Sequence, residues 1–260
     1  MVNLRNNNRF SIQIIAPVLL FLLYSCASKP YHNYKIEGKQ IPVSKEYGEV
    51  NSINSFVTPY RDHINSDLDN ILAYSPETLD KSKGEWQTTI GNLMADLTVE
   101  IGNPVFNKRT GKNIDICLLN HGGIRAVLPK GNVTTRTAFE IMPFENSLII
   151  VELKGTQIRE MAEYILKEHK PHPLWGMKLI FNKDAMTVKS ILINGKPLDN
   201  NTIYYVATSD YLSNGGDKMD FFKKAAKTHD MDYKLRNVII DYFKKIDTIP
   251  VITEQRIIAE

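Results

Sequence analysis

Twice in this chain an apolar run of strand character ends directly in a loop carrying two consecutive glycines. Residues 114–119, Ile-Asp-Ile-Cys-Leu-Leu, lead into Asn120-His121-Gly122-Gly123-Ile124-Arg125. Residues 203–208, Ile-Tyr-Tyr-Val-Ala-Thr, lead into Ser209-Asp210-Tyr211-Leu212-Ser213-Asn214-Gly215-Gly216-Asp217. Glycine pairs let the backbone take positive φ and let another group come close. The chain therefore needs a sheet, with its most permissive backbone at strand ends.

The other elements are mixed in order. Residues 57–74 carry apolar residues at helical spacing (Ile64, Leu68, Ile71, Leu72), with Pro59 in the first turn. A second helix opens at Thr88 and runs to Ile101, closed by Gly102. Residues 137–141 form a short helical turn, residues 148–153 a strand, and Lys154-Gly155 turns the chain into a helix over 156–169. Further strands are expected at 178–181, 188–193 and 203–208, with Asn194-Gly195 as a hairpin turn. Helices are expected at 221–226 and 234–245. Strict βαβ alternation is absent, so the fold class is α+β (mixed α/β), with mixed sheets and flanking helices.

The first 25 residues are read apart from the fold. Arg5 and Arg9 precede a mostly apolar run of fifteen residues, 10–24, which is short for a membrane span and fits a secretory h-region. Leu22-Leu23-Tyr24-Ser25-Cys26 fits a bacterial lipobox, in which cleavage leaves the nucleophilic Cys26 thiol to carry a lipid. An ordinary signal peptide or N-terminal anchor is the alternative. Under the lipobox reading the chain is exported and lipid-anchored to a bacterial membrane, on its periplasmic or surface side. The organisation is a lipoprotein signal peptide over 1–25, a polar tether over 26–47 and one domain over 48–260. Loss of residues 1–25 lowers the formal charge from +3 to +1. No block of Lys and Arg appears, so no electrostatic footprint for nucleic acid exists. The two cysteines, Cys26 and Cys117, exclude a disulfide framework and a Cys-based zinc site. Cys117 sits within a buried-strand pattern and reads as a small core hydrophobe.

Three loops could carry chemistry. In the Asn120 loop, Arg125 could grip an anion such as phosphate bidentately, or it could be a surface side chain beyond a tight turn. In the Tyr211 loop, an aromatic could stack on a base and Asp217 could accept from ribose hydroxyls, or the loop could hold a core Tyr and an Asx turn. In Met142-Pro143-Phe144-Glu145-Asn146, Phe144 alone reads as packing.

Together the three loops resemble the C-terminal domain of the 5′-nucleotidase and UDP-sugar hydrolase family. Asn120 to Arg125 matches that family's Asn-Gly-Gly-Gly-Ile-Arg, with His121 in place of the first Gly. Pro143 to Asn146 matches Pro-Phe-Gly-Asn, with Glu145 in place of Gly. Tyr211 to Asp217 matches the stretch ending in Gly-Gly-Asp, with Tyr211 where Phe is common. The helix Ile90-Gly91-Asn92-Leu93-Met94-Ala95-Asp96, the Leu153-Lys154-Gly155 corner and the closing Gln255-Arg256-Ile257 extend the likeness over residues 85–257. The resemblance implies that Phe144 and Tyr211 sandwich a nucleobase and that Asp217 binds the ribose hydroxyls. It implies that Asn120 contacts the base edge, that Arg125 holds phosphate and that Gly122, Gly123 and Asn146 line the same pocket.

Two departures bear on chemistry. Where the family has a phosphate-binding Arg before the opening helix this chain has Trp86, and Lys81 and Lys83 are the nearest cations. Family members hydrolyse phosphate esters at a two-metal centre in a separate N-terminal domain rich in Asp, His and Asn ligands. None of the six His here lies in an Asp-x-His motif; Asn120-His121 is followed by Gly122, and His169-x-x-His172 reads as a helix end. No catalytic residue, metal ligand or cofactor is therefore assigned within the chain; divalent metals are expected only in a partner catalytic domain. The resulting expectation is a nucleotide- or nucleoside-recognition domain of a hydrolase in nucleotide catabolism, completed by a separately encoded metallophosphoesterase. The alternatives are a stand-alone nucleoside-binding lipoprotein and a remnant whose pocket binds nothing.

Overall fold

A computed structural model describes residues 32–260. The signal segment and the Cys26 lipobox lie outside the described residues. Two units are distinguished by their internal contacts, one ending at Asn54 and one spanning Ser55–Glu260. In the first, the described chain has no regular secondary structure and is mostly exposed up to a single 3-10 turn at Lys45–Tyr47.

The larger unit contains three sheets among the described residues. The central one has five strands in the order β10-β4-β9-β2-β5: β2 (Ile116–Leu118), β4 (Ser147–Lys154), β5 (Leu174–Trp175), β9 (Ile203–Ser209) and β10 (Lys227–Lys234). Strands β2 and β9 run parallel, whereas β4 is antiparallel to β9 with Leu148 opposite Ser209. A four-stranded sheet joins β6 (Met177–Asn182), β7 (Thr187–Ile193), β8 (Lys196–Pro197) and β11 (Ile257–Ala259), and a two-stranded sheet pairs β1 (Ile71–Ser75) with β3 (Gly131–Thr134).

The near-continuous apolar runs of β2 and β4 have a simple cause. Successive side chains point to opposite faces of a sheet, and both faces of this one are covered. On one face Cys117, Leu148, Ile150 and Ala207 meet α2 (Thr89–Thr110) and α6 (Leu235–Lys245) in one core. On the other face Ile116, Leu118, Ile149, Val151, Leu153 and Val206 meet α4 (Gly155–Glu168) and the apolar side of β6 and β7. Cys117 is fully buried and its thiol is pushed up by desolvation, as befits a core hydrophobe. The α+β class is as expected from the order of elements.

Three local expectations are corrected. Residues 57–74 do not form one helix: α1 spans Asn51–Leu68 with Pro59 inside it, and Ile71–Ser75 is a strand. The Asp69-Asn70 break frees Ile71 to pair with Thr134 of β3. Helix α2 does not stop at Gly102 but continues past Pro104 to Thr110 and ends at Gly111, φ 70°. Gly102 serves packing, since a Cβ there would lie 2.8 Å from the Leu148 Cδ2. The helix expected over 221–226 is a 3-10 segment, Asp220–Lys224. No helix among the described residues is long and apolar enough to cross a membrane.

The closing residues do real fastening: Arg256, only 5% exposed, reaches the Asp96 carboxylate of α2 at 2.6 Å and donates to the Leu174 carbonyl of β5 at 2.5 Å. Helix α2, β5 and β11 are thereby tied at one point.

Candidate functional site

The sheet topology gathers the three loops. Because β2 and β9 are parallel, the Asn120 and Tyr211 loops leave the sheet at the same end. Because β4 runs the other way, the Phe144 loop enters at that end too. Ligands of α/β proteins commonly bind beyond the carboxyl ends of such strands. Here all eight residues singled out from sequence (Asn120, Gly122, Gly123, Arg125, Phe144, Asn146, Tyr211, Asp217) line one cavity of about 320 Å3. A wider depression shares Asn146 and Tyr211 on its far side.

Asp217 is the junction between two loops. Its Oδ2 accepts from Asn120 Nδ2 at 2.7 Å and its Oδ1 accepts from the Tyr211 hydroxyl at 2.8 Å. Its backbone N–H donates to the Tyr211 oxygen at 3.2 Å, and its carbonyl accepts from Tyr164 of α4 at 2.7 Å. The residue is held at φ 51°, a left-handed conformation that Asp tolerates better than most. Tyr164 is partly buried, which raises its hydroxyl to about 12 and keeps it a donor.

The Asn120 loop is a 3-10 turn, His121–Gly123. Arg125 stands exposed at its end; Nη1 donates to the Gly122 carbonyl at 3.4 Å and its Cζ lies 5.9 Å from the Phe144 ring centroid. Lys81 donates from Nζ to the Ile124 carbonyl at 2.5 Å, and so reaches the backbone just before Arg125. Trp86 faces elsewhere: it stacks on His169 at 4.1 Å between ring centroids and packs against Phe181 at 4.8 Å.

The loop is also fastened from below. His172, 3% exposed, accepts the His121 N–H at its Nδ1 over 3.1 Å. That bond requires the lone pair on Nδ1, so the proton of the neutral ring sits on Nε2. Burial, reinforced by His121, pushes His172 down to about 4. Desolvation also lowers His121, as does the nearby Lys81. Among the described residues no three His, Cys, Asp or Glu side chains gather to hold a metal ion.

Tyr211 lies flat on Gly216. A Cβ at Gly216 would sit 2.5 Å from the ring's Cε1 and Cζ. Gly216→Ala is expected to tilt that ring out of the cavity, weakening by about tenfold the affinity for any planar ligand stacked on it, the cost of roughly one lost stacking contact, while the melting temperature changes little. Calorimetric titration beside a thermal melt checks both halves of that expectation.

Sequence reasoning missed Tyr164, His172, Gly216 and Arg236, which touches the Phe144 loop from α6. His172 carried one legible signal, its place four residues past the end of α4 and between Pro171 and Pro173; Gly216 stood in the Gly-Gly-Asp motif, whereas Tyr164 and Arg236 act across the fold and leave no local pattern.

Comparison with known proteins bears on this geometry. A family model for the 5′-nucleotidase C-terminal domain matches residues 71–224. The chain belongs to that family. The trifunctional nucleotide phosphoesterase YfkN of Bacillus subtilis is 30% identical over 62% of the chain and 11% of its own length. Human 5′-nucleotidase is 23% identical over 66% of the chain and 33% of its own length. Among solved structures, the Thermus thermophilus 5′-nucleotidase precursor matches with a TM-score of 0.67 at 23% identity, covering 80% of this chain and 42% of that one. The Haemophilus influenzae NAD nucleotidase matches at 0.60 and 17% identity, covering 81% and 42%. Both likenesses carry the fold. This 5′-nucleotidase C-terminal domain spans well under half the length of these relatives.

Proposed function

We propose that the chain is the nucleotide- or nucleoside-reading part of a 5′-nucleotidase-type hydrolase, and that a separately encoded metallophosphoesterase supplies the metals and the bond-breaking step. The observation that carries this reading is the convergence of Phe144, Tyr211, Asp217 and Arg125 on one cavity. Each ring offers a face to a base, the carboxylate suits two vicinal hydroxyls and the guanidinium suits an anion. The Asn120 and Tyr211 hydrogen bonds that now occupy Asp217 hold its oxygens in place until ribose hydroxyls compete for them.

The test is calorimetry followed by reconstitution. The purified chain is expected to bind adenosine and AMP at micromolar concentration. With Mg2+ or Mn2+ alone it is expected to release no phosphate from AMP, and to support hydrolysis once the metallophosphoesterase is added. Binding of neither ligand would end the reading. Metal-dependent hydrolysis by the pure chain would end the two-chain part of it.

We further propose export and lipid anchoring through Cys26. Metabolic labelling with a radioactive fatty acid is expected to mark the wild-type chain and to leave Cys26→Ser unmarked.

A further inference from the structure

We infer that Arg236 is a positioning residue that sets the place of Phe144 in the cavity, and so governs recognition of the base rather than of the sugar or phosphate. The inference rests on the nucleoside-reading function proposed above.

Arg236 lies in the first turn of α6 and is 8% exposed. Its guanidinium is sandwiched between an aromatic ring and a loop. The Cζ sits 4.1 Å over the centroid of Phe139, a cation–π contact that holds the planar group in one orientation. From there Nη1 faces the carbonyls of Pro143 at 3.5 Å and Phe144 at 3.4 Å, while Nη2 donates to the Glu145 carboxylate. One side chain thus holds three consecutive residues of the Phe144 loop. The two preceding residues add to the hold, one by its side chain and one by its backbone: Lys234 Nζ donates to the Glu145 carbonyl at 2.8 Å and the Leu235 N–H to the Asn146 carbonyl at 2.9 Å.

The Phe144 ring itself is 40% exposed. A half-open ring is not fixed by packing around it, so its position follows from its backbone, and Arg236 grips that backbone. The fork geometry matters: a Lys ammonium is a point donor and cannot span two carbonyls and a carboxylate in one plane. Glu145 completes the arrangement. It is the acid that Arg236 pairs with, and the pairing holds its carboxyl below the ordinary range.

The test uses the full chain with Arg236→Met and Arg236→Lys, titrated with AMP and with ribose 5-phosphate. Both variants are expected to lose about tenfold in AMP affinity, the value of one base-stacking contact, with ribose 5-phosphate affinity within about twofold of wild type. An equal loss for both ligands would assign Arg236 a merely structural role, and no loss for either would remove it from recognition. A ligand-free measurement stands beside this one. With 4-fluorophenylalanine at position 144, the fluorine resonance is expected to shift or broaden in Arg236→Met. An unchanged resonance overturns the positioning role whether or not nucleosides bind. Wild-type protein that binds no AMP, with the resonance still shifted in the variant, sinks the proposed function and leaves the loop-holding role of Arg236 standing.

Discussion

Replacing both Phe144 and Tyr211 by Ala is expected to abolish measurable adenosine binding, and either single change to weaken it roughly fivefold to a hundredfold. Stacking of one base on one aromatic ring is worth about 1–3 kcal/mol by alanine substitution, which sets that range. The two rings are 40% and 46% exposed, so their removal opens no large hole in either core. The double variant should therefore still melt near the wild-type temperature, and lost binding can be read as lost recognition. Tyr211→Phe separates the ring from its hydroxyl. It keeps the stacking surface and gives up the 2.8 Å bond to the Asp217 carboxylate and the acceptor for the Asp217 N–H. Its loss should be smaller than that of Tyr211→Ala. Unchanged affinity in the double variant would show that the base is read somewhere else.

The second large effect is loss of stability in acid, and it comes from His172. In the folded protein burial holds its ring neutral, with a value lowered from 6.5 to about 4. In the unfolded chain it protonates near its ordinary value. The depressed folded value means that the stabilisation is complete above pH 6.5, shrinks as the unfolded chain takes up its proton, and is gone once the pH falls below about 4. The gap corresponds to about 3 kcal/mol at most. The groups that face the ring work in both directions: His121 and Lys170 oppose its protonation, Asp217 and Glu168 favour it, and Tyr164 packs beside it at 5.8 Å. Protonation of Nδ1 also ends its acceptance of the His121 N–H, so the Asn120 loop loosens as the ring charges. His172→Asn can take the same bond through its amide oxygen and does not titrate. Thermal melts from pH 7 to pH 4 should therefore fall more steeply for wild type than for His172→Asn. Parallel curves would assign the acid sensitivity to other groups.

The elements that could be read in the sequence are those whose pattern is local. Strands β4 and β9 and helix α4 announce themselves by apolar runs, by spacing, and by the Lys154-Gly155 corner. The strand β10 does not. Its sequence, Lys-Thr-His-Asp-Met-Asp-Tyr-Lys, is mostly polar because it is the edge of the central sheet. Strand β1 was hidden by its apolar residues falling in register with those of α1, and nothing local shows that Thr134 will lie opposite Ile71. The end of α2 was hidden because Gly102 is present for contact with Leu148 and not to stop a helix. The site divides in the same way. The eight residues that line the cavity stand in short motifs. The groups that hold them, Arg236 on the Phe144 loop and Tyr164 and His172 beneath the other two, come from elsewhere in the chain.

The topology of the central sheet also bears on how the cavity is expected to assemble. Strand β2 lies beside β9, and the hydrogen bond from Asn120 to Asp217 closes over 97 residues. Long-range pairing of this kind pays its loop-closure entropy before any contact rewards it, and folds slowly. Helices α2 and α4 can form early from local contacts, but the cavity cannot exist until residues more than ninety positions beyond Asn120 have docked. A ligand of this cavity then has nothing to hold in the early stages of folding. It acts afterwards, as a brake on unfolding, so that a nucleoside would prolong the life of the native protein without hastening its birth.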